Sequence, residues 1–526
     1  MKWEELASQV MGEQVLLDTP YGRKPLVYAD YTASGRAYAP IEDFIQQRVL
    51  PFYANTHSDS SLTGRQTNHL REQARDVIRQ ALNAGPEHAV IFCGTGATAA
   101  INKMVDLLQL RQPQQARVVV FIGPYEHHSN ELPWRESEAE VVVIPLNEEG
   151  ALDIELLEQQ LQAYQGQARL LASFSAASNV TGLKSDTRRI GELVHRYGGH
   201  VFWDYAAAAP YLAIDVADKD AVFISPHKFL GGPGTPGLLV VRRELAKNPV
   251  PAMPGGGTVS FVAPDFHHYL EDSEHREEGG TPGIIEAVRA GLVFKLQQQV
   301  GTDVIEARES ELVQRVLQRW AGHAGIRILG NTALPRLSIV SLQIWHGDEQ
   351  LHYAYVVALL NDLFGIQARG GCSCAGPYGH SLLGIDAETS RALDAQVSRG
   401  NAVLRPGWVR LNFNYFLDED SFEYLLRALE LVAEHGWKLL PNYHYWADSG
   451  TWVHKDAVAD LPVSLENFDP TGSAPFMLPC SDRPLTDYLS QAESVLTAAS
   501  ADLCATVIEL DEQAESLRWF YVPKTA

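Results

Sequence analysis

Seven short runs of branched and aromatic apolar residues, spread over residues 88–245, limit what this chain can fold into. They are HAVIFC (88–93), RVVVFIG (117–123), EVVVIPL (140–146), RLLASFSA (169–176), HVFWDYA (200–206), AVFISPHK (221–228) and GLLVVRREL (237–245). Such Val- and Ile-rich runs read as strands covered on both faces. Helical patterns lie between several of them: TAAINKMVDLLQL (98–110), LDIELLEQQLQAY (152–164) and TRRIGELVHRYG (187–198). Strands alternating with helices predict an α/β domain on a mostly parallel central sheet.

A turn-rich break, NPVPAMPGGGTVS (248–260), precedes a second block. Its helical patterns are 284–299, 305–322, 351–365 and 421–436, its strands 339–345 and 408–416, and its Gly-rich loop ARGGCSCAGPYGH 368–380. This predicts a smaller α+β domain. At 526 residues the chain is too long for one core. We expect an N-terminal segment at 1–25 (a short amphipathic helix and a loop), a large domain at 26–290, a small domain at 291–440 and an acidic extension at 441–526. The extension holds 13 Asp and Glu against 4 Lys and Arg, a net charge of −9. Its first half has no clear periodicity, and 486–520 reads as one or two helices.

The net charge of the whole chain, −23, argues against wrapping nucleic acid. No apolar run reaches the length of roughly 18 residues that a membrane helix needs. The opening MKWEELASQVMGEQ lacks a secretory pattern. Five scattered cysteines, Cys93, Cys372, Cys374, Cys480 and Cys504, do not form a disulfide framework. The expectation is a cytoplasmic protein acting on a small molecule.

The chemistry begins at SPHKFLGGPGTPG (225–237). Lys228 follows an apolar strand, an unusual place for a side chain that is normally solvated. A buried amine loses its charge and becomes a nucleophile toward carbonyls. Taken alone, a lysine at a strand end is as often a surface residue. Ser225 and His227 beside it are phosphate donors in kind, and the glycines let backbone approach a ligand. In FWDYAAAAP (202–210), Asp204 follows another strand, as a helix cap, a core ion pair or the partner of a buried cation. FCGTGATAAINK (92–103) reads as strand, Gly-rich turn and helix start, with Gly96, Ala97 and Thr98 placed to hold a phosphate. YEHHSNELPW (125–134) adds two histidines, either structural or stacked on an aromatic ring. An amine for an aldehyde, an acid for a pyridinium and a helix end for a phosphate together fit pyridoxal 5'-phosphate.

In this order the motifs resemble the class V aminotransferase family of fold-type I pyridoxal-phosphate enzymes, and within it the cysteine desulfurase and selenocysteine lyase branch. The likeness runs from about Tyr28 to Phe416. YADYTASG (28–35) is similar to the opening strand and turn, GATAAIN (96–102) to the phosphate loop, and EHHSN (126–130) to the ring-stacking segment, with His127 as the matching histidine. The resemblance implies that Lys228 forms the Schiff base, Asp204 pairs with the pyridine nitrogen and Asn179 in SNVTG contacts cofactor or substrate. GGTPGI (279–284) implies a homodimer in which Thr281 reaches the phosphate of the partner subunit's cofactor. RGGCSCAG (369–376) implies Cys374 as the catalytic cysteine and Arg369 as the loop arginine. VRLNFNYF (409–416) implies Arg410 as the holder of the substrate carboxylate. The activity implied is removal of sulfur from L-cysteine or a related amino acid through a persulfide on Cys374, with alanine released and a protein taking the sulfur. Two other readings stay open: another class V reaction on a different amino acid, and a cofactor-binding protein whose acidic tail docks a partner. Four features depart from the pattern: Ala99 for a common Glu, Ala207 for Gln or His, the additional Cys372, and the extension itself.

Overall fold

Connection length decides the topology of the seven apolar runs. In the computed structural model they are β1 (His88–Cys93), β2 (Val118–Ile122), β3 (Glu140–Val143), β4 (Arg169–Ser175), β5 (His200–Asp204), β6 (Ala221–Ile224) and β7 (Gly237–Arg242). They form one sheet in the order β1-β7-β6-β5-β4-β2-β3. The structure describes residues 3–523 apart from 57, 448, 458–460, 462, 473–477 and 501–507. The neighbours β6-β5-β4-β2-β3 pair in parallel, whereas β7 is antiparallel to both β6 and β1. A parallel return needs a crossover, usually through a helix. Residues 225–236 hold only the short turn Pro226–Lys228, so the chain doubles back. The carboxyl ends of β1, β2, β4, β5 and β6 therefore open on one side, where α/β sheets bind ligands.

Alternation along β1 shows how both faces are covered. Val90 and Phe92 enter one core with the helix Ile284–Val300, while Ala89, Ile91 and Cys93 enter another under the helix Gly96–Leu107. A 20-residue helix, Leu62–Ala81, also lies on the first face. It has no apolar stripe in the sequence because its buried positions include Thr67, Arg71 and Arg75. Those arginines pair with buried Glu278, Arg75 through two contacts of 3.0 Å. Glu278 in turn accepts the Phe92 N–H at 2.7 Å, and Glu274 accepts the Val90 N–H at 2.7 Å. The outer edge of β1 is thus satisfied by side chains instead of another strand.

A second sheet holds β8 (Ile326–Ile328), β9 (Ile339–His346), β10 (Arg369–Gly371) and β11 (Trp408–Asn412) in the order β8-β9-β11-β10, all antiparallel. The segment expected as one loop at 368–380 is instead β10, a tight turn and the helix Gly376–Leu383. Main-chain pairing to β11 recruits glycine-rich residues that lack strand propensity. The extension contributes the hairpin β12 (Tyr443–Trp446) and β13 (Thr451–His454), then the helices Leu485–Ala498 and Glu512–Glu515. Between those helices, 501–507 with Cys504 lies outside the described residues. Tyr443, Trp452, Tyr488, Leu496 and Phe520 share one core with the helices Tyr353–Phe364 and Glu419–His435. Leu16 N–H also donates to the Pro479 carbonyl at 2.8 Å, tying the two ends of the chain together.

Candidate active site

A cavity of about 340 Å³ opens at the carboxyl ends of the large sheet. Gly96, Ala97, Thr98, His127, Asn179, Asp204, Ser225, His227 and Lys228 all line it. Lys228 stands in the turn after β6, which the opening turn of the chain clamps: Gly35 N–H donates to the His227 carbonyl at 2.8 Å. A side chain at Gly35 would collide with the Phe229 carbonyl. Burial pushes the Lys228 amine down to about 8, against the opposing pull of Asp204. Asp204 ends β5, where burial raises its pKa and the Ala206 N–H, 2.8 Å from Oδ1, works against that shift.

On the β1 side, Thr95 caps the helix Gly96–Leu107 with no side-chain bond, which leaves amides at the helix end for an anion. Gly96 turns into that helix at φ +57°, and a Cβ there would sit 2.9 Å from Ser225 Oγ, which itself accepts the Ala97 N–H at 2.8 Å. Thr98 Oγ1 and Ser129 Oγ are 2.7 Å apart. Burial pushes His127 down to about 3 and His227 down to about 4, so both rings are neutral at physiological pH. His127 Nδ1 accepts the Ser129 N–H at 3.1 Å, which leaves the ring proton for Nε2. The donor set fits pyridoxal phosphate: a desolvated amine, a buried acid, a neutral ring and an anion cradle.

Beyond the cavity wall stand the residues of the second sheet. Arg410 is buried in β11 and donates through Nη1 to the Asn179 carbonyl at 3.0 Å and through Nη2 to Asp30 Oδ1 at 3.1 Å. Arg369 Nε donates to Asp30 Oδ2 at 2.9 Å. Cys374 is exposed and follows Ser373 through two left-handed residues, at φ +54° and +55°. Non-glycine residues occupy that region only when their surroundings hold them. The hold here is threefold: Asn179 Nδ2 donates to the Ser373 carbonyl at 2.8 Å, His128 N–H to the Cys374 carbonyl at 2.8 Å, and Gly376 N–H to His128 Nε2 at 3.1 Å. Cys372 is half-buried against the cluster of Tyr125, Val180, Tyr378 and Trp408. Thr281 lies away from this cavity, exposed, with Asn55 Nδ2 3.4 Å from its hydroxyl.

Sequence reasoning passed over four contributors. Asp30 sits inside the quoted motif YADYTASG without a role assigned to it. Ser129 and Thr235 line the cavity and carried no signal beyond their neighbourhood. Glu126, beneath the site, accepts the Ser175 N–H at 3.0 Å and the Asn130 amide at 2.7 Å, and burial raises it to about 7. Ala207 lines the cavity where a polar residue is common in the family resembled.

Fold and cavity together define a pyridoxal-phosphate enzyme of the α/β kind. The family model for class-V aminotransferases matches residues 27–393, and the chain belongs to that family. Among its relatives, a probable cysteine desulfurase of Halalkalibacterium halodurans is 29% identical over 373 residues, covering 69% of this chain and 87% of that protein. The fold is similar to that of a Thermococcus onnurineus cysteine desulfurase solved without ligand (TM-score 0.66, 24% identity, 78% of this chain and 95% of that one). It is also similar to an Escherichia coli cysteine desulfurase (TM-score 0.66, 23% identity, 82% and 99%).

Proposed function

We propose that this protein is a cysteine desulfurase that takes sulfur from L-cysteine and releases alanine. The observation that carries the reading is the Cys374 loop, tied by Asn179 and His128 to the same segments that wall the Lys228 cavity. The named relatives support it.

When bound, pyridoxal phosphate supplies an electron sink for the bonds at the substrate Cα. Lys228 would provide the amine that holds it and would move protons at the substrate Cα. Asp204 would answer the positive charge of the ring nitrogen, His127 would pack on the ring, and Gly96, Ala97, Thr98, Ser225 and His227 would hold the phosphate. Arg410 orients the substrate carboxylate, with Arg369 beside it. The Cys374 thiolate attacks the substrate sulfur: an S–S bond forms, the C–S bond breaks, and alanine leaves after protonation. An exposed persulfide on Cys374 suits delivery to a protein thiol. We assign a homodimer, with Thr281 serving the phosphate bound by the partner subunit, and a reducing cytoplasm that keeps the thiols free.

The test is alanine and sulfide release from L-cysteine by the wild type, Cys374→Ala and Lys228→Ala. Cys374→Ala is expected to keep the visible band of lysine-bound cofactor and lose alanine release, and Lys228→Ala to lose both. Alanine release at the wild-type rate by Cys374→Ala would replace this reading with a different class V reaction.

A further inference from the structure

Arg369 and Arg410 are direct cross-strand partners on β10 and β11. Register turns both side chains to one face, and like charges placed opposite each other in a sheet destabilise it. Asp30 lies between them. Its Oδ2 accepts from Arg369 Nε at 2.9 Å and its Oδ1 from Arg410 Nη2 at 3.1 Å. Asp30 is only 8% exposed, and its neighbour is pinned on both sides: Ala29 N–H donates to the Gln367 carbonyl at 3.0 Å, and Asn412 N–H to the Ala29 carbonyl at 2.8 Å. The carboxylate is therefore fixed in place before any ligand arrives.

Charge counting gives this arrangement a consequence. Two guanidinium groups and one carboxylate leave one net positive charge. Of the other ionisable groups nearby, Lys228 and Asp204 belong to the cofactor end, His127 and Tyr28 are neutral, and Cys374 is the reacting thiol, set against the substrate side chain and not its α-carboxylate. One positive charge matches one α-carboxylate. A second acid group on a ligand would meet an arginine already engaged and a like charge beside it, an element that selects by repulsion. We propose that Asp30 is a specificity-determining residue, which restricts the site to amino acids with uncharged side chains and rejects those with an acidic one. The proposal rests on the reading of Arg410 as the carboxylate holder.

The experiment is titration of the holoenzyme with L-alanine and L-aspartate, followed by the visible spectrum. The wild type is expected to prefer L-alanine. In Asp30→Asn the preference moves toward L-aspartate by on the order of tenfold, equivalent to about 1.4 kcal/mol. In the double variant Asp30→Asn/Arg369→Gln the net charge returns to one, and so does the wild-type preference. That variant also lacks the unshielded arginine pair, so it serves should Asp30→Asn fail to fold. Equal weakening of both ligands, with the ratio unchanged, would overturn the proposal and leave Asp30 as a positioning residue for the arginines. Unchanged affinities in Arg410→Gln would overturn the carboxylate-holder reading, and the proposal with it.

Discussion

Burial sets the working state of Lys228. With the amine pushed down to about 8, the group is protonated and unreactive below that pH and neutral above it. The rate at which apoprotein captures added pyridoxal phosphate is therefore expected to rise through about pH 8, as followed by visible absorbance. A flat profile from pH 6 to 9 would contradict the assigned cause. Asn179 offers a second test, because its amide holds the Ser373 carbonyl beside Cys374. Loss of one such bond costs about 1 kcal/mol. Asn179→Ala should then slow alanine release roughly fivefold with smaller effect on cofactor content. Asp204, Ser225 and Lys228 were conspicuous in the sequence because they stand at or just after the ends of apolar strands, whereas Asn179 was reached only through the family resemblance. Asp30 was not, because its partners stand 339 and 380 residues away and only the pairing of β10 with β11 brings them together.

Strands were easier to read than the helices that cover them. All seven runs of the large sheet became strands, but the apolar-periodicity rule missed Leu62–Ala81, whose inward face is closed by ion pairs. Removing the shared partner leaves buried charge behind: Glu278→Ala should cost about 3–5 kcal/mol in urea unfolding. The glycine-rich 369–371 was illegible as a strand for the opposite reason, since main-chain pairing to β11 holds it in place of apolar side chains. The first half of the extension looked aperiodic because its apolar residues, Tyr443 and Trp452 among them, serve a core made by other helices. Leu496 is fully buried there, and Leu496→Ala should lower stability by about 2–5 kcal/mol, with the unfolding midpoint as readout.

At the scale of the whole molecule, an exposed apolar area gathers beside Thr281. Met253, Phe261, Val262 and Phe266 are each about half exposed or more, and Gly280 N–H donates to the Gly256 carbonyl at 2.8 Å, joining the two segments. The proposed homodimer would cover such a patch. Phe261→Asp is expected to shift sedimentation toward monomer and, with Thr281 withdrawn from the partner, to lower bound cofactor. Monomers that retain full cofactor would refute the shared site. The β1 edge of the large sheet behaves differently. An unpaired strand edge is a template onto which another chain can add itself. With Glu274 and Glu278 already occupying the N–H groups of Val90 and Phe92, and Arg75 on the Val90 carbonyl, that template is not offered. The carboxylates so act as a stop codon written in hydrogen bonds: they end the sheet at β1 and deny a foothold to fibril growth along that edge.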